Sequence, residues 1–350
     1  MLKARLKNII KFIVNILYIF LLSITILSCK SAVEPDNLQP GSRNYKWFAD
    51  TIKVPFLTLT RIWGNSKNNV FAVGSGGSTS SLIWHFDGNC WSTDSIARPI
   101  SPTGLYGIDN LVWLGNYNFY PGINSIWLYN YSNWIKYGDY KIPNNCDVMW
   151  INDFCGVSQN DIYAVGLAGN NSNTDTVKGI IMHFNNNQWS YVNLAPLKIQ
   201  FTVIRRQNST GLYFIEGIDE PKMDSYKILS FNGKELNTVY SGNNYAHLES
   251  LNDEVYVVIQ RKIYKYSKSS LILWKDFSTT EYEGRTIGWS ENNFFCITDE
   301  GIGHYNGTDI KTLYKPDIVC TAGIAVPGCI FFLFKDFKTG YNVIVRGELQ

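Results

Sequence analysis

A nine-residue pattern returns along this chain: Ile83-Trp84-His85-Phe86-Asp87-Gly88-Asn89-Cys90-Trp91 recurs as Ile181-Met182-His183-Phe184-Asn185-Asn186-Asn187-Gln188-Trp189. Weaker copies lie at Ile126 to Trp134, Ile228 to Gly233, Ile263 to Ser267 and Ile302 to Gly307. A unit of this size cannot bury its own apolar face, so it folds only by stacking on its neighbours. The repetition constrains architecture far more than activity, because function then rests on whatever decorates the loops.

Upstream of each copy stands a short apolar run. Val70-Phe71-Ala72-Val73-Gly74 and Ile162-Tyr163-Ala164-Val165-Gly166 are nearly the same segment, with counterparts at Leu111 to Gly115, Leu212 to Glu216, Val255 to Ile259, Phe294 to Thr298 and Ile330 to Phe334. β-Branched and aromatic residues bounded by Asn, Asp and Gly predict buried strands. A further strand precedes each run, and another follows a turn at Asp87-Gly88, Asn232-Gly233 or Asn306-Gly307, where Asn/Asp-Gly predicts a two-residue hairpin. The repeat aromatics Phe86, Tyr129, Phe184, Phe231, Tyr266 and Tyr305 are spaced by 43, 55, 47, 35 and 39 residues. Four strands in about 40 to 45 residues is the signature of a β-propeller blade. First strands fall near Ile62, Tyr106, Phe154, Val203, Leu248, Ile287 and Ala322, which predicts an all-β, seven-bladed propeller of four-stranded antiparallel blades. Trp47-Phe48-Ala49-Asp50-Thr51-Ile52 repeats the fourth-strand pattern of Trp91 to Ile96 with no blade before it, so the N-terminal strand is expected to complete the last blade and close the ring.

Trp63-Gly64, the Asn-Asn or Asn-Asp turn, Val-Phe-Ala-Val-Gly and the His-Phe-Asp-Gly-x-x-Trp hairpin resemble the repeats of extracytoplasmic bacterial β-propeller lipoproteins, over residues 44 to 350 and most sharply in the first and third repeats. Some members of that group carry a glucosyltransferase label, and nothing in this sequence resembles a nucleotide-sugar site.

The leader fits the same compartment. Met1 to Lys11 is basic, Phe12 to Leu27 is apolar, and Ile26-Leu27-Ser28-Cys29 resembles a lipoprotein signal in which Cys29 is acylated after residues 1–28 are removed. About 16 apolar residues are short for a membrane span, which needs ~20. Residues 29–43, with Pro35, Pro40 and Gly41, read as the acylated cysteine and a flexible tether to a propeller over 44–350. The expected location is the cell envelope, lipid-anchored, with outer-membrane sorting compatible with Lys30. Loss of Lys3, Arg5, Lys7 and Lys11 takes the formal charge from +2 to −2, which argues against a nucleic-acid partner.

Six further cysteines, Cys90, Cys146, Cys155, Cys296, Cys320 and Cys329, read mostly as buried small hydrophobes at blade interfaces. His85, His183 and His304 share one repeat position, so they belong to different blades and do not form a compact metal site; His247 stands off that position. No cofactor or metal is expected, and the common catalytic signatures are missing from the sequence. A glycosidase needs only two carboxylates placed by the fold, and the loop acids Asp175, Asp219, Glu220 and Asp224 keep a surface glycan-active enzyme open as an alternative. A structural subunit of an envelope complex is another. The leading expectation is a non-catalytic scaffold that binds a protein or glycan through one face. The connections between second and third strands, Ser75 to Ser81, Asn116 to Asn124, Leu167 to Lys178 and Gly217 to Asp224, are long in the first four repeats. Within them Tyr117, Phe119 and Tyr120 are the candidate ligand-binding residues, aromatic and suited to stacking on sugars or anchoring a partner.

Overall fold

The computed structural model describes residues 41–350 except 77–81, 95, 97–99, 119–125, 131, 138–145, 171–172, 221–222 and 317–318. Cys29, most of the tether, Phe119 and Tyr120 lie outside the described residues. All regular structure among the described residues is strand. β1 (Tyr45–Ile52) is followed by the meander β2 (Thr58–Ser66), β3 (Asn69–Ser75), β4 (Ile83–Phe86) and β5 (Trp91–Asp94). The next are β6 (Pro102–Ile108), β7 (Leu111–Asn118), β8 (Trp127–Tyr129) and β9 (Trp134–Lys136), then β10 (Val148–Ser158), β11 (Asp161–Asn170), β12 (Asn173–Asn185) and β13 (Gln188–Tyr191). β14 (Ile199–Arg206), β15 (Tyr213–Asp219), β16 (Tyr226–Phe231) and β17 (Leu236–Gly242) precede β18 (Ala246–Leu251), β19 (Glu254–Ile259), β20 (Lys262–Ser267) and β21 (Ser270–Asp276). The last are β22 (Tyr282–Ser290), β23 (Asn293–Thr298), β24 (Gly301–Tyr305) and β25 (Ile310–Tyr314), then β26 (Val319–Val326), β27 (Cys329–Lys335) and β28 (Asn342–Leu349).

Each group of four is an antiparallel meander, and the last three strands take β1 as their fourth, in the order β1-β28-β27-β26. Eight residue pairs, from Tyr45↔Leu349 to Ile52↔Asn342, join β1 to β28. Adjacent meanders touch at their inner strands: the first strand β10 meets the second strand β7 at Met149↔Asn118 and Trp150↔Tyr117, and the first strands β18 and β22 run parallel at Ser250↔Ile287.

The second strands have apolar middles because both faces are covered there, as in β3, β11 and β27. The fourth-strand tryptophans pack backward onto the preceding sheet. Trp134 reaches Phe71, Trp189 reaches Trp113, Trp47 reaches Phe295 and Tyr314, and Trp91 of the first meander reaches Phe331 of the last. Gly347 is required by this packing, since a Cβ there would lie 2.7 Å from the Trp47 ring. Trp63 uses Gly107 in the same way, its ring 2.1 Å from where a Cβ would stand.

The three repeat histidines pack within their own meanders. Their Nε2 atoms lie 2.8 Å from Asn69 Oδ1 for His85, 2.7 Å from Asp161 Oδ1 for His183 and 2.8 Å from Asn293 Oδ1 for His304. Each ring packs against the aromatic paired with it on the second strand, Phe71, Tyr163 or Phe295.

Four expectations are corrected. Asp87-Gly88, Asn232-Gly233 and Asn306-Gly307 open four-residue loops, because the registers Phe86↔Trp91, Phe231↔Leu236 and Tyr305↔Ile310 leave four residues between strands. The Asx side chain organises each loop: Asp87 Oδ1 accepts from the Asn89 and Cys90 amides at 2.8 and 2.9 Å, and the glycine takes a positive φ of 99°. Two-residue turns with both φ positive form at Asn186-Asn187, Asn252-Asp253 and Lys268-Ser269. The segment from Leu167 to Lys178 continues as paired strand, Leu167↔Gly179 to Asn170↔Asn173, and forms a long hairpin. Glu216, expected opposite Gly74, shifts by one residue: the pairs Tyr213↔Phe231 and Val70↔Phe86 align it with Val73. All six described cysteines are free; Cys296 and Cys329 are buried, whereas Cys90 is exposed in its hairpin loop.

Candidate functional site

The first strands carry a repeated bulge. β2, β6, β10, β14 and β26 each slip register by one residue, at Thr60, Thr103, Asn152, Thr202 and Thr321. The polar side chain at this position ties one sheet to the next. Thr103 Oγ1 donates to Ile151 O at 2.7 Å, Asn152 Nδ2 to Phe201 O at 2.8 Å and Thr321 Oγ1 to Leu59 O at 2.9 Å. Thr202 works through Glu216: its hydroxyl donates to Glu216 Oε1 at 3.0 Å, and Glu216 Oε2 accepts from the Leu248 amide at 3.2 Å. The junction of the last and first sheets adds Asn342, whose side chain accepts from Leu59 N at 3.0 Å and donates to Leu57 O at 2.9 Å, with the Lys335 ammonium on the same Leu57 carbonyl. Buried amides and carbonyls at the sheet joints are thus satisfied by side chains.

Residues of β2, β6, β10, β14, β18, β22 and β26 line one cavity of about 260 Å³, with Glu216 of β15 and Tyr245 in its wall. Thr60, Thr202, His247, Arg285 and Ala322 occupy the opening halves of their strands. The second strand of each antiparallel meander runs back to that end, so the last residues of these strands, Ser75, Asn118, Asn170 and Asp219 among them, lie on the side of the mouth. A second cavity of about 320 Å³ shares Ile62, Asp153, Arg205 and Ile287 and adds Tyr106, Phe154 and Thr286.

The 260 Å³ cavity is ionic. Arg205 Nη1 lies 2.5 Å from Asp153 Oδ2, an oxygen that also accepts from the Ile204 amide at 3.0 Å. Glu216 is buried, and burial raises its carboxyl pKa above the ordinary value against the pull of His247 and its two hydrogen bonds. His247 Nε2 stands 3.3 Å from Glu249 Oε1 without hydrogen-bond geometry, and both ring nitrogens are buried and unpartnered. Among the described residues Arg61 donates only to carbonyls, Thr60 O at 3.2 Å and Asn152 O at 3.5 Å. Arg285 sits in an irregular stretch of β22, where pairing with β23 slips at Gly284 and resumes at Ile287, and its φ is +58°.

Of the aromatics expected to bind a ligand, Tyr117 lies in β7 and is half-buried, its ring edge-on to Trp150 at 4.5 Å in the joint between β7 and β10. Among the loop acids, Asp219, Glu220 and Asp224 line a surface cavity of about 470 Å³ with Lys198 and Lys227. Asp219 Oδ1 is 2.5 Å from Lys227 Nζ, and burial raises the pKa of Glu220. The ionic residues of the channel are departures from the repeat: Glu216 takes the place of Val73, and His247 is the one histidine outside the repeated position. Those departures are the signal by which the sequence marks the cavity.

No family model and no curated protein matches the chain. Solved structures do. A puromycin-hydrolyzing peptidase of Mycobacterium tuberculosis aligns over 87% of this chain with a TM-score of 0.60 at 11% identity. The β-propeller domain of Cps50 (Swd1) from Myceliophteria thermophila aligns over 85% of this chain and 99% of its own, with a TM-score of 0.52 at 10% identity. The fold is that of a β-propeller. The chain spans about half of the peptidase, 52% of its length, and at these identities the likeness is one of fold alone.

Proposed function

We propose that this chain is a lipid-anchored, extracytoplasmic binding scaffold: a seven-bladed propeller closed by β1, held to a membrane through acylated Cys29 and the 29–43 tether, that binds a protein or glycan without catalysing a reaction. What supports seven blades is that seven first strands line one cavity, with β1 as the fourth strand beside β28. The observation that carries the binding role is the mouth itself. The side-chain ties between sheets fix a rigid rim, and the second strands of the early blades, among them β11 of the β11–β12 hairpin, end beside it. Rigid rims with varied connections are where binding residues concentrate; Tyr117 stands near the end of β7, and Phe119 and Tyr120 follow it in the sequence.

The test is retention of envelope proteins and glycans by the detergent-solubilised full chain and by a variant carrying Tyr117→Ser, Phe119→Ser and Tyr120→Ser, with circular dichroism to check folding. Retention by the wild type that the folded variant loses is the expected result. Equal retention by both would remove these aromatics from the site. A glycan-active enzyme remains the second reading because Asp219, Glu220 and Asp224 share one cavity. Glycan hydrolysis by the wild type that Glu220→Gln abolishes would replace the scaffold reading.

A further inference from the structure

Among the described residues, two arginines at the mouth of the central cavity lack an acidic partner. Arg205 is matched by Asp153, and Glu216 is held by Thr202 and the Leu248 amide. Glu249 faces His247. Among the described residues no carboxylate lies within ion-pairing distance of Arg61 or Arg285, although both line the cavity. Arg61 is the more confined of the two. Burial is the largest influence on its guanidinium and disfavours its charge; Asp153 opposes this, and the like charges of Arg205 and Arg285 reinforce it. A guanidinium that reaches only carbonyls, beside two other guanidinium groups, is an electrostatic deficit that an anion would fill.

Arg285 reaches the cavity at a backbone cost. Its φ of +58° lies in the left-handed region, which a bulky residue seldom adopts, and such strain concentrates where a side chain is needed in one place. Gly284 before it, at φ +118°, brings the backbone close to His247: a Cβ there would stand 3.5 Å from the imidazole Cε1. The His247 ring stacks on Tyr245 at 5.2 Å and holds two buried nitrogens that lack a hydrogen-bond partner among the described residues, Nε2 lying 3.3 Å from Glu249 Oε1. Buried polar atoms in a cavity are ordinarily partnered, and these face the same space as the two arginines.

We propose that Arg61, Arg285 and His247 form a binding site for a compact oxyanion, a carboxylate or phosphate group, at the mouth of the central cavity. Guanidinium forks bind planar or tetrahedral oxyanions through paired charge-assisted hydrogen bonds. The His247 imidazole supplies one further N–H. The volume of about 260 Å³ lies below the ~300–1,000 Å³ usual for drug-sized ligands, which limits the occupant to a small anion or the acidic end of a larger molecule. This site stands independently of whether a macromolecule uses the surrounding rim.

The experiment is calorimetric titration of the detergent-solubilised full chain with inorganic phosphate, acetate and glucuronate at matched ionic strength, on the wild type, Arg61→Gln and Arg285→Gly. The wild type is expected to bind at least one probe saturably in the ~1 mM range or tighter, and both variants to bind it at least tenfold more weakly. Arg285→Gly removes the left-handed strain, so its melting temperature should equal or exceed that of the wild type; weakened binding there is not a folding defect, and this variant decides the matter if Arg61→Gln fails to fold. Binding of phosphate alone, or of the two carboxylates alone, identifies the source of the oxyanion. No saturable binding by about 10 mM of any probe, or binding that Arg285→Gly leaves unchanged, overturns the proposal.

Discussion

His304 shows what one repeated residue contributes and what acid would undo. Its side chain is fully buried, bonded to Asn293 and packed on Phe295, and Arg43 donates to its carbonyl at 3.1 Å. Burial, and after it the Arg43 charge, lower its pKa from 6.5 to about 4, against the pull of Asp309. The folded value lies below the unfolded one, so protonation favours the unfolded chain. The stability this residue contributes is complete above about pH 6.5 and is lost as pH falls toward 4, on the order of 2–3 kcal/mol. Burial lowers the pKa of His85 too, so it acts in the same direction. Urea midpoints measured from pH 7 to 4.5 should therefore fall less steeply in His304→Gln than in the wild type; parallel slopes would show that another group governs acid sensitivity. At this scale the sequence was legible where the repeat holds. The shared position of His85, His183 and His304 was enough to keep them within their blades. Arg61, Arg205, Glu216, His247, Glu249 and Arg285 were illegible as a group because they converge only when separate blades are curled around one axis.

Strand β1 is an element whose role follows from its neighbours. It continues the last sheet across eight residue pairs and sends Trp47 onto Phe295 and Tyr314 of the preceding sheet. Removing a fully buried Trp costs about 3–5 kcal/mol. Trp47 is half-buried, so Trp47→Ala is expected to cost about 2 kcal/mol, read as a lower denaturant midpoint with an unchanged slope. A midpoint within error of the wild type would mean that backbone pairing alone holds β1. The seven first strands could be located from aromatic runs and turn residues, because buried strands have a marked composition. Two features of the connections could not. Asp87 and its counterparts spend their side chains on capping a four-residue loop, a local competition that a dipeptide rule does not weigh. The segment from Leu167 to Lys178 reads as a loop by its Asn and Thr content, yet its strands continue because each supplies the backbone partners of the other.

For the molecule as a whole, fold and attachment are separate problems. A β-propeller fold says nothing about anchoring, and the formal charge of −2 that removal of the leader would leave gives little electrostatic attraction to an anionic surface. Under the proposed reading attachment rests on Cys29. Cells fed an alkynyl palmitate should label the wild-type chain and leave Cys29→Ser unlabelled; an unlabelled wild type that still begins at Met1 would replace lipid anchoring with retention of the apolar leader. The antiparallel register of β1 and β28 then has a mechanical consequence. Tyr45 pairs with Leu349, and the Gln350 amide donates to Asn44 O at 2.9 Å, so the root of the tether lies beside residue 350. Tension arriving along the tether meets the Tyr45–Leu349 pair first. A pull directed away from the β1–β28 seam opens it like a zip, one pair at a time, whereas a pull along β1 loads all eight pairs together. Under the proposed reading, the direction of a pull on the propeller thus decides whether the β1–β28 seam acts as a weak release or a strong clamp.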